Sequence, residues 1–199
     1  GANYTTSSFT TGVLLYSGTN TYTVTVTDNF YCNTATATVT VTVEKANVTI
    51  SAPVIEGWTY GDAAKTPVAG FNEIFAQISN SEITFKYFTD AECTNEIETL
   101  VNAGTYYVKA IFAGNDNLNA CESEAVAFVI AKLAVNVPTV SDKVYNGEQQ
   151  LPTYKTDVDV TVYFWQEGDK NYTDAGTYNY HFEVDDPNYV GEIKGTYVI

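Results

Sequence analysis

Asn102-Ala103-Gly104-Thr105-Tyr106-Tyr107-Val108-Lys109-Ala110-Ile111-Phe112 and Asp174-Ala175-Gly176-Thr177-Tyr178-Asn179-Tyr180-His181-Phe182-Glu183-Val184 are two versions of one phrase. Each opens on an Asx-Ala-Gly-Thr-Tyr turn and runs into alternating side chains. A period of two marks a strand with one face in a core. It sends Tyr106, Val108, Ala110 and Phe112 inward in the first version, with Tyr107, Lys109 and Ile111 outward. In the second, Tyr178, Tyr180, Phe182 and Val184 go inward. A weaker echo, Gly18-Thr19-Asn20-Thr21-Tyr22-Thr23-Val24-Thr25-Val26, opens the same kind of strand near the start.

Around these strands the chain repeats itself. Lys45-Ala46-Asn47-Val48-Thr49-Ile50 returns as Lys132-Leu133-Ala134-Val135-Asn136-Val137, and Tyr60-Gly61-Asp62 has a loose partner in Tyr145-Asn146-Gly147-Glu148. Asn117-Leu118 matches Asn188-Tyr189, and Phe128-Val129-Ile130 matches Tyr197-Val198-Ile199. Correspondences that keep their order define an internal repeat. They divide the chain into a first segment, 1–44, a middle repeat, 45–131, and a last repeat, 132–199. The first segment offers a short strand around Phe9 to Tyr16, then a hairpin of Tyr22–Val26 and Ala35–Val43. It is too short for a complete seven-stranded sandwich, so either its earlier strands have been cut away or it is a small half-sandwich leaning on its neighbour. The chain opens on Gly1 instead of Met, and we read it as a piece cut from a longer array.

Composition narrows the function. Of 199 residues, 45% are hydrophobic and 14% aromatic, with Tyr 16 and Phe 10, enough for packed cores and too much for disorder. Nine Lys and Arg against 24 Asp and Glu give a net charge of -15. Such a surface repels phosphate backbones and anionic membranes, which argues against nucleic-acid binding. No apolar run reaches the roughly 18 residues of a membrane helix, so no membrane insertion is expected in this segment. Three cysteines, Cys32, Cys93 and Cys121, do not make an even framework. Cys93 and Cys121 fall at opposite ends of one strand, beyond disulfide reach. Three reduced thiols are expected.

The Asx-x-Gly-x-Tyr phrase resembles the tyrosine corner of immunoglobulin-like sandwiches, where the Tyr hydroxyl bonds back to the backbone just upstream. The resemblance gives Tyr22, Tyr106 and Tyr178 that structural part. Where an antibody domain places its second Cys stand Val24, Val108 and Tyr180, so the core there is apolar. The fold expected is all-β: tandem Ig-like β-sandwiches in a linear array. The middle repeat, with Trp58-Thr59-Tyr60-Gly61-Asp62, Ala103-Gly104-Thr105-Tyr106-Tyr107-Val108 and Asn115-Asp116-Asn117-Leu118-Asn119, resembles the MBG-type Ig-like repeats of large bacterial surface proteins. The last repeat resembles them less closely. Tyr22-Thr23-Val24-Thr25-Val26-Thr27-Asp28 looks like the final hairpin of a PKD-like repeat. The resemblance implies a secreted or cell-surface, adhesin-like protein in which such repeats are spacers or binding modules. It carries no chemistry, and fold alone cannot supply a ligand.

The motifs of catalysis are thin. His181, the only histidine, lies by parity on the outward face between Asn179 and Glu183, and no nucleophile elbow, HExxH, P-loop or Cys-x-x-Cys occurs. Two Asx-rich turns have the oxygens that calcium takes: Asp116 and Asn117 in one, Asp185 and Asp186 in the other. The same residues are ordinary turn formers, which is the plainer reading. No other cofactor is indicated. A sugar-stacking platform is conceivable at Trp58, or at Tyr163 with Trp165 if Val160, Val162 and Phe164 form the core face of their strand. With the opposite parity, Trp165 is buried. Two functions follow: a stiff acidic spacer partnered by its neighbouring repeats, or a module that binds a glycan or a host-cell protein through exposed aromatics and the Asx turns.

Overall fold

A computed structural model describes residues 17–27, 31, 33–72, 79–136, 140–165, 168 and 171–199. The segment Phe9 to Tyr16, the turn Asp28 to Phe30, Cys32 and Val137 lie outside the described residues. The protein is all-β. Its strands are β1 (Gly18–Thr27), β2 (Thr34–Val43), β3 (Trp58–Thr59), β4 (Ile83–Phe88), β5 (Glu96–Ile97), β6 (Gly104–Phe112) and β7 (Cys121–Glu122). Then follow β8 (Val126–Ala131), β9 (Leu133–Ala134), β10 (Val162–Phe164), β11 (Thr177–Val184), β12 (Tyr189–Val190) and β13 (Glu192–Val198). A 3-10 turn, Asn80–Glu82, is closed by a capping box between Ser79 and Glu82.

Strands β1 and β2 form an antiparallel hairpin in which Tyr22 opposes Val39 and Val24 opposes Ala37. The largest sheet runs β3-β8-β6-β4-β5, with β7 also paired to β6. In it β6 and β8 are antiparallel with Tyr106 opposite Phe128, and β3 lies parallel to β8. In the last repeat β10, β11 and β13 form an antiparallel sheet in that order, with Phe164 opposite Phe182 and Tyr180 opposite Gly195. A further two-stranded sheet pairs β9 in parallel with β12.

By contact the chain divides into two compact units. One comprises Gly1–Ser51, Ala69–Thr84 and Ala110–Glu124; the other comprises Ala52–Val68, Phe85–Lys109 and Ala125–Ile199. In the first, Val48, Ile50, Phe112 and Leu118 are buried. An antiparallel bridge joins Ile50 to Phe71, whose ring stands edge-on to Phe112 at 5.0 Å. Ser123 is the buried polar residue here: its hydroxyl accepts the Ala110 N–H and donates to Glu124 O. Both capacities of the hydroxyl are thereby met, which is the condition for burying it cheaply.

The second unit holds two cores. Tyr106, Val108, Phe128 and Ile130 form one, with Trp58, Phe85 and Tyr87 packed against it. Tyr172, Tyr178, Tyr180, Phe182, Val184 and Tyr197 form most of the other, against which Val162 and Phe164 lie. The alternation in β6 and β11 therefore has the inward parity expected. The alternative in β10 resolves to Val162 and Phe164 inward, which turns Tyr163 and Trp165 out. Tyr172 has no counterpart in the sequence argument. It is fully buried, although its backbone sits at φ 55°, a region bulky side chains rarely adopt. Ring contacts to Phe164 and Tyr178 hold it there. Cys93 and Cys121 carry thiols and form no disulfide.

Candidate functional site: an aromatic face and two clasped turns

The outward face of the β10-β11-β13 sheet gathers the last repeat's polar and aromatic groups. Tyr163 and Trp165, two residues apart on one face, are 52% and 51% exposed, with ring centroids 4.8 Å apart in an edge-on pair. The Trp165 N–H donates to His181 O, and the Trp165 ring stacks on the His181 ring at 5.9 Å and 15°. Cross-strand neighbours on one face approach closely enough for such pairs. His181 is thus on the outward face, as its parity requires, but half-covered by Trp165. Its Nε2 is shut from solvent 2.7 Å from Glu192 Oε1, an ion contact whose geometry is not that of an aligned hydrogen bond. Lys194 Nζ also pairs with Glu192 Oε1. The hydrogen bond from the Lys194 ammonium, with the charges of Lys194 and His181, holds the Glu192 carboxyl below the usual carboxylate range.

Trp165 stands between two open hollows. One, of about 490 Å³, has walls from Asn179, His181, Lys194 and Thr196; the other, of about 300 Å³, is bounded by Tyr163, Glu183 and Asp185. The face offers aromatic surface beside carboxylate and amide groups, the combination that recognises an amphipathic ligand. Among the described residues of this face, no nucleophile is aligned with a base.

Trp58 belongs elsewhere. It is half-buried and stacked on the core ring of Phe128 at 5.5 Å. An exposed platform at Trp58 is therefore set aside: its short strand β3 runs along β8, which directs the indole onto the sheet's apolar residues.

The tyrosine corners are explicit in both repeats. Tyr106 Oη donates to Asn102 O at 2.9 Å, and Tyr178 Oη donates to Asp174 O at 2.7 Å. Tyr22 is half-buried on β1, opposite Val39.

The two Asx turns close on themselves and on their neighbours. Asn115 Oδ1 accepts the N–H groups of Asn117 and Leu118, and Asp186 Oδ1 accepts that of Asn188. In each turn a carbonyl oxygen takes a lysine ammonium: Lys45 Nζ donates to Asn115 O at 2.7 Å, Lys132 Nζ to Asp186 O at 2.8 Å. A protein cation therefore occupies part of the oxygen set that calcium would need, and among the described residues no group of three His, Cys, Asp or Glu gathers around a common point. Asp116, Asn117, Asp185 and Asp186 are brought together only as turns.

Asn117 and Asn188 do more than shape their turns. The backbone oxygen of Asn117 accepts the Ala46 N–H, and that of Asn188 accepts the Leu133 N–H, each at 2.9 Å. Their side-chain oxygens reach the preceding stretch of chain. Asn117 Oδ1 accepts the Ser17 N–H at 3.1 Å, and Asn188 Oδ1 accepts the Ala103 N–H at 2.8 Å. Ser17 and Ala103 each come just before the glycine that opens a corner strand, Gly18 or Gly104. Asn188 Nδ2 also donates to Asn102 Oδ1, Ser17 Oγ donates to Asp116 O, and Tyr60 meets Tyr189 edge-on at 5.4 Å. The paired lysines and asparagines are visible in the sequence repeat; their bonding is not, because it joins residues 54 to 100 positions apart.

Among known proteins, no family model matches the chain, and no curated protein matches it.

Proposed function

We propose that this chain is a non-catalytic, extracellular repeat segment of a bacterial surface protein of the adhesin type, in which tandem Ig-like sandwiches in linear array act as a stiff spacer. The observation that carries this reading is the joint. At 44–46 and again at 131–133, the chain passes from one repeat to the next through the same lysine-to-turn, linker-to-turn and asparagine-to-amide hydrogen bonds. A repeated and bonded joint resists bending, whereas independent domains are commonly joined by flexible linkers with few contacts. The tyrosine corners and the resemblance of the repeat phrases to MBG-type units support the sandwich and the surface location. The acidic surface suits a protein kept soluble and apart from anionic membranes.

A second reading has its own observation. Tyr163 and Trp165 are exposed, contiguous with the half-covered His181 and ringed by Asn179, Glu183, Glu192 and Lys194, which suits a glycan or a host-protein loop. The purified chain, screened against glycans and extracellular-matrix proteins with and without calcium, separates the two. The spacer reading expects no saturable binding and a cooperative melt indifferent to calcium. Saturable binding lost in Trp165→Ala, with the melt unchanged, replaces it with the binding module.

A further inference from the structure

The joint has a donor side and a receiver side, and the last repeat carries a receiver. In the middle repeat the receiver is the Asn102-Ala103 turn, whose Ala103 N–H and Asn102 Oδ1 are both taken by the Asn188 amide. Its geometry is set by the ladder: Gly104 stands opposite Ile130 of β8. In the last repeat Gly176 exchanges both backbone bonds with Ile199, at 3.0 and 2.9 Å, so Asp174-Ala175 is held on the same ladder. The corner bond from Tyr178 Oη to Asp174 O matches that from Tyr106 Oη to Asn102 O. Yet Ser17 and Ala103 are half-buried where their N–H groups are received, while Ala175 is exposed and its N–H meets no acceptor among the described residues.

We infer that the Asp174–Ala175 turn is a docking surface for a further unit of this same design, joined in tandem, whose Asx-turn asparagine supplies the amide. The inference rests on the spacer reading and names its connecting surface. The asparagine oxygen accepts the Ala175 N–H, and its amide nitrogen donates to the Asp174 carboxylate. That carboxylate replaces the neutral Asn102 amide oxygen, and a bond to an ionised acceptor is the stronger kind. The receiver is therefore chemically complete, and it selects for asparagine: an aspartate in the incoming turn would set two carboxylates against each other.

The test extends the whole chain by a second copy of residues 131–199 placed directly after Ile199, so that Ala131 follows Ile199 as it follows Ile130. The original 199 residues carry the isotope label, and amide exchange is followed by NMR. Ala175 is expected to exchange at least about tenfold more slowly in the extended chain than in the original. Asn188→Ala in the appended copy is expected to return it to the original rate. Labelling the copy instead, and finding its Phe182 amide as slow as the original's, shows that the copy is folded. Unchanged exchange at Ala175 beside a folded copy, with Ala103 slow in both chains, overturns the docking surface alone. Fast exchange at Ala103 as well overturns the bonded joint, and the spacer reading with it.

Discussion

Single residues carry most of what is particular to this molecule. Tyr197 is 1% exposed, its hydroxyl donates to Gln150 O at 2.8 Å, and Tyr172 and Tyr178 surround it. Burial first, and the neighbouring phenols second, push its hydroxyl from 10.0 up to about 12. The folded state thus favours the neutral phenol. The stabilisation is complete below pH 10.0, the unfolded value, and is lost as pH rises through the window up to about 12. Denaturant titrations at pH 7 and across that alkaline window should show Tyr197→Phe less stable at pH 7 by about 1–2 kcal/mol, because Gln150 O loses its donor, and less sensitive to alkali than the parent. An identical alkaline decline in both proteins contradicts this account of Tyr197. The role of Tyr106 and Tyr178 was legible in five residues of sequence, since a corner is a local motif. That of Tyr172 was not: nothing in Asn171-Tyr172-Thr173 announces a buried ring on a left-handed backbone, which only the surrounding aromatics impose.

At the level of elements, parity did most of the work. Strand β6 has Val108 and Ala110 wholly buried and Phe112 nearly so, as its alternation requires. Phe128 on β8 meets Trp58, Tyr87 and Tyr106, so truncating it opens a cavity between rings from several strands. Phe128→Ala should cost about 3–5 kcal/mol in chemical denaturation, and a loss below about 1 kcal/mol would show that the site collapses or was never packed. Parity alone could not say which face of β10 is the core. Its neighbour β11 decides that by presenting Phe182 to Phe164, and the consequence is the exposed pair Tyr163 and Trp165. The surroundings of Trp58 were hidden from the sequence for a related reason. A strand as short as Trp58–Thr59 shows no period, so its pairing with β8 could not be foreseen.

For the whole molecule the decisive structures are the joints, and these were half legible. The recurrence of Lys45 with Asn117 and of Lys132 with Asn188 stands in the sequence, and the turns that hold these asparagines had suggested calcium. Only the fold shows that each lysine ammonium and each asparagine amide is spent on closing a joint. The central proposal is that the bonded joint between the middle and last repeats holds those two repeats in one fixed arrangement. It is most directly tested by electron–electron spin-label distances between Glu98→Cys of the middle repeat and Lys155→Cys of the last, both at exposed positions within one compact unit, with Cys32, Cys93 and Cys121 replaced by Ser. The account predicts one narrow distance distribution, unchanged by calcium or chelator and broadened when Asn188→Ala is introduced. A broad distribution in the parent chain would contradict it.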